Sequence, residues 1–330
     1  MILVTGASGH LGNVLTRKLL AEGEKVRAMV LPGEKCDFLH NMGVECVEGD
    51  VCDPASLDNA MKDVELVYHL AGVISIVPGK EDLMEKVNVE GSRNVAEAAL
   101  KAGVRRMIHT SSVHALKREP HGITMDESTP LDPNNPAGVY DQTKARGTIE
   151  VLKLVDKGLD AVIACPTGII GPHDYAGSEM GRVIKDFTRK KLHFLVKGAF
   201  DFVDVRNVAE GLILTAQKGR TGEIYILAGE NKKLEEIFQI AQKEAGVKSP
   251  YITIPERLAL FGAHIAQLLS RFSKAPPYFT TYSLQTIFDN ASYSSNKAQK
   301  ELGYKPGTLR ESIRDMINGF SQKANLRETI

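Results

Sequence analysis

The run Thr5-Gly6-Ala7-Ser8-Gly9-His10-Leu11-Gly12 constrains this chain more than any other stretch. It follows the apolar segment Met1–Thr5, which reads as a strand. It leads into Leu11, Val14, Leu15 and Leu19, which recur at helical spacing until Gly23. A strand that turns through three glycines into a helix presents backbone N–H groups at a helix N-terminus with no side chain in front of them. Such a turn can receive a phosphate, and the third glycine lets the helix lie close to the sheet.

Strand patterns recur at Lys25–Leu31, Val44–Glu48, Glu65–Ala71, Arg105–Ser111 and Asp160–Pro166, with helical patterns between them. Asp53-Pro54 reads as a helix start, because Asp accepts from free N–H groups and Pro at the first position loses no bond. Helices are expected over Leu83–Ala102, with Gly103 as a left-handed cap, and over Gly138–Lys157. Repeated strand–helix–strand units predict an α/β fold, a Rossmann-type doubly wound parallel sheet. After residue 172 helices dominate, at 177–190, 205–218, 233–245, 256–272, 296–302 and 308–320. One clear strand remains there, Glu223–Ala228. The expected division is a dinucleotide-binding domain over 1–172 and a smaller, helix-rich substrate lobe over 173–330, with elements from about 200–228 able to return to the first domain.

Composition excludes several classes of function. The 41 basic and 41 acidic residues cancel, which leaves no net field to favour nucleic acid or an anionic membrane as the main partner. No apolar run reaches membrane-spanning length; the longest candidate, Leu258–Leu269, is broken by Gly262, His264 and Gln267. The chain opens directly in a strand, so no leader peptide is expected. Cys36, Cys46, Cys52 and Cys165 show no C-x-x-C and no Cys/His zinc spacing. They read as reduced thiols of a cytoplasmic protein, with no metal expected.

Tyr140-Asp141-Gln142-Thr143-Lys144 sets a phenol and an ammonium four residues apart on a predicted helix, so both leave one face. Carbonyl reduction needs a hydride and a proton. A free tyrosine, with a pKa of about 10, gives up its proton poorly near neutrality. A nearby lysine is expected to lower that pKa. His109-Thr110-Ser111-Ser112-Val113 ends the fifth strand and offers hydroxyls at the same sheet edge.

Together these motifs resemble the extended branch of the short-chain dehydrogenase/reductase superfamily. Further segments fit it: Gly49-Asp50-Val51, His69-Leu70-Ala71-Gly72, and Asn88-Val89-Glu90-Gly91 followed by Ser92 and Asn94-Val95. So do Cys165-Pro166-Thr167-Gly168-Ile169-Ile170-Gly171-Pro172 and Phe202-Val203-Asp204-Val205-Arg206-Asn207-Val208-Ala209. The resemblance implies catalysis by Ser112 (Ser111 as the fallback), Tyr140 and Lys144. It implies a nicotinamide dinucleotide held at Gly6, Ser8, Gly9, His10, Leu11 and Gly12, with Asp50 and Val51 at its adenine edge. Leu70, Ala71, Gly72, Asn88, Tyr140 and Lys144 would line it further, and Pro166, Thr167, Gly168 and Ile169 would pack on the nicotinamide. His114, Phe202 and Tyr278 are candidate substrate contacts. Asp204 reads equally as a cap for the following helix. A homodimer through 83–102 and 138–157 is expected by resemblance alone.

At the end of the second strand Leu31 stands where relatives carry Asp for NAD or Arg for NADP, with Arg27 upstream and Lys35 following. The missing acid favours NADP(H) over NAD(H). His109–Val113, the Tyr140–Lys144 box and Tyr225-Ile226-Leu227-Ala228-Gly229 look most like dihydroflavonol reductases, which act on apolar or phenolic carbonyl compounds. A small-molecule carbonyl substrate is therefore expected. A nucleotide-sugar epimerase with retained NAD is the alternative, and a non-catalytic NAD(P)-binding sensor a third reading. Pro255–Phe272 carries an apolar face (Leu258, Leu260, Phe261, Ile265, Leu268, Leu269) followed by Pro276-Pro277-Tyr278-Phe279. It reads as a core helix of the second lobe or as a lid over an apolar substrate.

Overall fold

The computed structural model describes residues 1–34, 36–75, 79–175, 177–269 and 279–327; Lys35 and Tyr278, both singled out above, lie outside them. The strands are β1 (Ile2–Thr5), β2 (Val26–Val30), β3 (Glu45–Glu48), β4 (Leu66–His69), β5 (Arg106–Thr110), β6 (Ala161–Pro166), β7 (Gly168–Ile170), β8 (Phe194–Val196), β9 (Ala199–Asp204), β10 (Ile224–Leu227), β11 (Glu230–Lys233) and β12 (Ile252–Ile254). Seven of them form one parallel sheet in the order β10-β6-β5-β4-β1-β2-β3. This is the expected Rossmann-type α/β fold. The strand order reverses between β1 and β4, and sheets of this kind bind ligands at the carboxyl ends of such a pair.

The inner strands are buried on both faces, which is why they read as unbroken apolar runs rather than alternating ones. Along β6, Val162 and Ala164 join one core with Ile2, Val4, Tyr68 and Ile108, while Ile163 and Cys165 join the other with Leu3, Val67 and Met107. Helices His10–Ala21 and Val205–Lys218 cover the first face. Helices Ser92–Lys101 and Val139–Val155 cover the second. A third core, around Phe187, Phe238, Leu284 and Ile313, belongs to the C-terminal residues. Asp53 caps its helix as expected, accepting from the Ala55 amide at 3.1 Å, and Gly103 has φ +67°.

Two expectations need correction. The residues after 172 hold more than one strand: β8 and β12 form a parallel pair, and β9 joins β7 and β11 in a small second sheet. These strands are three to six residues long and lack sustained alternation, so periodicity does not find them. The predicted helix 83–102 begins at Glu81 and is wound as a π-helix over Glu85–Gly91; the segment Ala298–Leu302 is likewise π-helical. The helix Glu256–Leu269, read as core or lid, meets the third core along a narrow face. It buries the small residues Ala259 and Ala263 and leaves Leu258, Phe261 and Ile265 exposed. A further helix, Thr281–Phe288, was not anticipated; Thr280 caps it, accepting from the Ser283 amide.

Candidate active site

The glycine turn is tight enough to exclude any other residue at two points. A Cβ on Gly12 would lie 2.1 Å from the Gly6 carbonyl oxygen, and one on Gly6 would lie 2.8 Å from the Ala71 amide nitrogen. Gly6 also has φ +68°, which side chains rarely adopt. No side chain caps the helix that begins at His10, so its first amides face outward at the sheet edge. The cradle thus fits a dinucleotide pyrophosphate on its own geometry. Thr5 sets its far wall. The Thr5 hydroxyl accepts from the amides of Leu70 and Ala71, both at 3.2 Å, and therefore donates to His69 Nδ1 at 2.8 Å. Ser8 and Leu11 are half-buried beside the turn. His10 turns elsewhere: its Nε2 bonds the Pro172 carbonyl at 2.9 Å and ties the turn to the segment after β7.

Asn88 sits in the π-helical stretch with all its polar atoms engaged. Its Oδ1 accepts from the Val73 amide at 2.8 Å, and its Nδ2 donates to the Val73 carbonyl at 2.9 Å and the Thr143 hydroxyl at 3.1 Å. It therefore shapes the backbone after Gly72 from behind. A Cβ on Gly72 would meet Asn88 Oδ1 at 3.3 Å and Lys144 Nζ at 3.9 Å, so this glycine keeps a gap in front of the lysine. Asp50 closes a turn by accepting from the Cys52 amide at 2.9 Å, and Val51 is buried beneath it.

Ser112, Tyr140 and Lys144 come together at the ends of β5 and the start of helix Val139–Val155, all buried. The Ser111 hydroxyl is taken by Thr148 at 2.6 Å, which leaves Ser112 as the serine beside Tyr140. Lys144 Nζ donates to the Thr110 carbonyl at 2.8 Å, and burial lowers its pKa to about 8. The expected lowering of the tyrosine by the lysine is not what the site shows. Burial raises the Tyr140 phenol above its ordinary range, and the counteracting influence is hydrogen bonding with Ser112. Desolvation of the ring dominates, and the Lys144 ammonium is held on the Thr110 carbonyl of β5.

Around Tyr140 lies a cluster that the motif reading missed. The buried Asp141 accepts from the Tyr282 hydroxyl at 2.6 Å and from Arg118 at 3.0 Å, with His114 Nδ1 at 3.3 Å. Arg118 also pairs with Asp289. The His114 ring meets Tyr140 edge-on at 5.6 Å and stacks on Phe200 at 5.7 Å; Phe200 packs in turn on Phe202 and Tyr293. His114 and Phe202, two of the candidate substrate contacts, are thus part of one aromatic wall. Asp141 was visible only as the residue after Tyr140, and Tyr282 lies in a helix that had no periodic signal.

Pro166 ends β6, and Thr167 follows it, buried; Gly168 and Ile169 begin β7 rather than a loop. Gly168 lets β7 lie on the rings of Phe200 and Phe202, where a Cβ would approach within 3.0 Å of both. Asp204 is the helix cap, accepting from the Arg206 amide at 2.7 Å and from the Ser312 hydroxyl at 2.6 Å. Leu31 is exposed at the end of β2. Arg27 is committed to Glu45 and to the carbonyls of Ala60 and Lys62, so it does not serve that end. Two acids not anticipated there are Glu34 and Glu48, which accept from the amides of Leu31 and Gly33, each at 3.1 Å.

Residues 2–228 match the NAD dependent epimerase/dehydratase family, and the chain belongs to that family. It is an enzyme, an NAD(P)-dependent oxidoreductase that acts on hydroxyl and carbonyl groups. It is similar to Sterol demethylase protein B of Methylococcus capsulatus, with 36% identity over 323 residues that cover 97% of this chain and 98% of the relative. It is 32% identical to a candidate dihydroflavonol 4-reductase of Synechocystis, over 96% of this chain and 93% of that one. The crystal structure of gox2253 superposes with a TM-score of 0.86 and 35% identity, over 98% of both chains. No helix among the described residues is long and apolar enough to cross a membrane.

Proposed function

We propose that the chain is an NAD(P)H-dependent reductase of an apolar ketone or aldehyde. The aromatic wall beside Tyr140 carries this reading: His114, Phe200, Phe202, Tyr282 and Tyr293 suit a ring system. A sugar diphosphate asks instead for arginine and amide donors, and Arg118 in this region is engaged with Asp141 and Asp289. The names of the two relatives, a sterol enzyme and a flavonoid-type reductase, lend support.

A bound nicotinamide would supply the hydride to the carbonyl carbon. Ser112 and Tyr140 hold the carbonyl oxygen, and Tyr140 gives it the proton. Burial keeps the phenol protonated at neutral pH, the form a proton donor needs, but makes it a weaker acid, so its proton loss leans on the hydrogen bond with Ser112 and on the charge of Lys144. Lys144 orders the ribose and keeps a positive charge near the phenolate that forms. The choice of cofactor is drawn two ways. The absent acid at Leu31 favours NADP(H), whereas Glu34 and Glu48 beside the same turn would repel a 2′-phosphate.

The test is a fluorescence titration with NADPH and NADH, then turnover of apolar ketones and aldehydes. Tyr140→Phe is expected to lower kcat by about 10²–10⁴-fold with cofactor affinity little changed. Undiminished turnover in that variant would reject the assignment. Mass spectrometry that finds NAD retained on the purified protein would favour the epimerase reading.

A further inference from the structure

We propose that Cys36, His40 and Cys46 form a binding site for a thiophilic divalent cation, zinc being the ion that fits. Cys36 and His40 are four residues apart across the single helical turn Asp37–His40, so their side chains leave the same side. Cys46 comes from β3, the next element of the chain. Cys36 Sγ lies 3.3 Å from His40 Nε2, and the three ligand atoms all lie within 4.8 Å of one another. Tetrahedral zinc, with Zn–S of about 2.3 Å and Zn–N of about 2.1 Å, holds its ligand atoms roughly 3.6 Å apart. Small side-chain movements would bring this trio to that spacing.

The donor chemistry is selective. Two thiolates and a neutral imidazole cancel the charge of a dication, and they select zinc over magnesium or calcium, which prefer oxygen ligands. His40 is exposed and both cysteines are half-exposed, so a water can complete the fourth position. The trio has no C-x-x-C spacing, because its ligands follow a C-x₃-H turn and then a strand.

The placement gives the site a purpose. The turn Asp37–His40 buries only Leu39 and is far below the length at which a helix holds itself together. A cation bonded to both ends of the turn and to β3 would clamp the β2–β3 connection. That connection begins with Leu31–Glu34, where the cofactor's adenosine end is expected. This consequence rests on the cofactor reading; the metal site does not.

The test is a titration of the reduced, metal-free full chain with Co(II). A thiolate-to-cobalt charge-transfer band and strong visible bands of tetrahedral cobalt are expected, saturating at one equivalent and displaced by Zn(II). Cys36→Ser and Cys46→Ser are each expected to weaken the charge-transfer band and together to abolish it, and His40→Asn to weaken cobalt binding at least about tenfold, the cost that even a lost outer-shell partner carries. Cys52→Ser, outside the trio, is expected to keep the full spectrum. Circular dichroism checks that each variant is folded. No charge-transfer band in the reduced chain overturns the proposal, as does a band that survives Cys36→Ser and Cys46→Ser together. The readout is the metal itself, so a failed cofactor reading would leave it unchanged.

Discussion

Lys144 is buried against β5 with its ammonium on one carbonyl, and its pKa falls to about 8. It therefore loses its charge close to neutrality, long before a solvated lysine would. If that charge steadies the developing phenolate of Tyr140, kcat/KM for reduction should decline as pH rises through about 8. Lys144→Arg stays charged and should move this alkaline limb upward, at a lower overall rate; a limb that stays in place would assign it to another group. That Tyr140, Lys144 and a strand-end serine meet in one place is legible in the sequence, because each sits in a motif of fixed spacing. The choice of Ser112 over Ser111 is not, since it depends on Thr148, a full turn beyond Lys144, taking the Ser111 hydroxyl. Asp141 escapes for a similar reason. Its partners Arg118, His114 and Tyr282 come from three separate places in the chain.

Helix Val139–Val155 crosses the π-helical stretch Glu85–Gly91 at Gly147, where a Cβ would lie 2.0 Å from the Asn88 carbonyl oxygen. Two helices cannot approach so closely with any side chain between them. Gly147→Ala should therefore force them apart and cost about 1–3 kcal/mol of stability, read as a lower denaturant midpoint. Activity should fall with it, because Asn88 holds the Val73 backbone beside Gly72. A variant as stable and active as the parent would show that the crossing can relax without harm. The parallel strands and long helices are readable ahead of the structure, because burial on both faces or on one stripe leaves a sustained pattern. The π winding is not, since it changes the hydrogen-bond register without changing which residues are apolar. Strands β7, β8, β11 and β12 fail for want of length.

In the whole molecule, two histidines are buried side by side under the sheet edge. His69 and His109 stack at 5.4 Å, and burial lowers the pKa of His69 to about 3 and that of His109 well below its usual value. Both are neutral in the fold, whereas the unfolded chain protonates them near 6.5. Their contribution is complete above pH 6.5 and is lost progressively as pH falls toward 3. Thermal melts from pH 7 to pH 4 should show a falling Tm, and His69→Gln with His109→Gln should flatten that slope; a slope unchanged by the double substitution would place the acid sensitivity elsewhere. The return of the chain to the main sheet has a consequence of another kind. β10 pairs with β6 only after some sixty intervening residues, and Arg106 on β5 reaches the carbonyls of Ala216 and Gly219. A polypeptide that stops at 172 would thus expose β6 as an apolar edge strand, open to pairing with its own copies. During synthesis the first half of the chain should stay prone to aggregation until residue 227 has emerged.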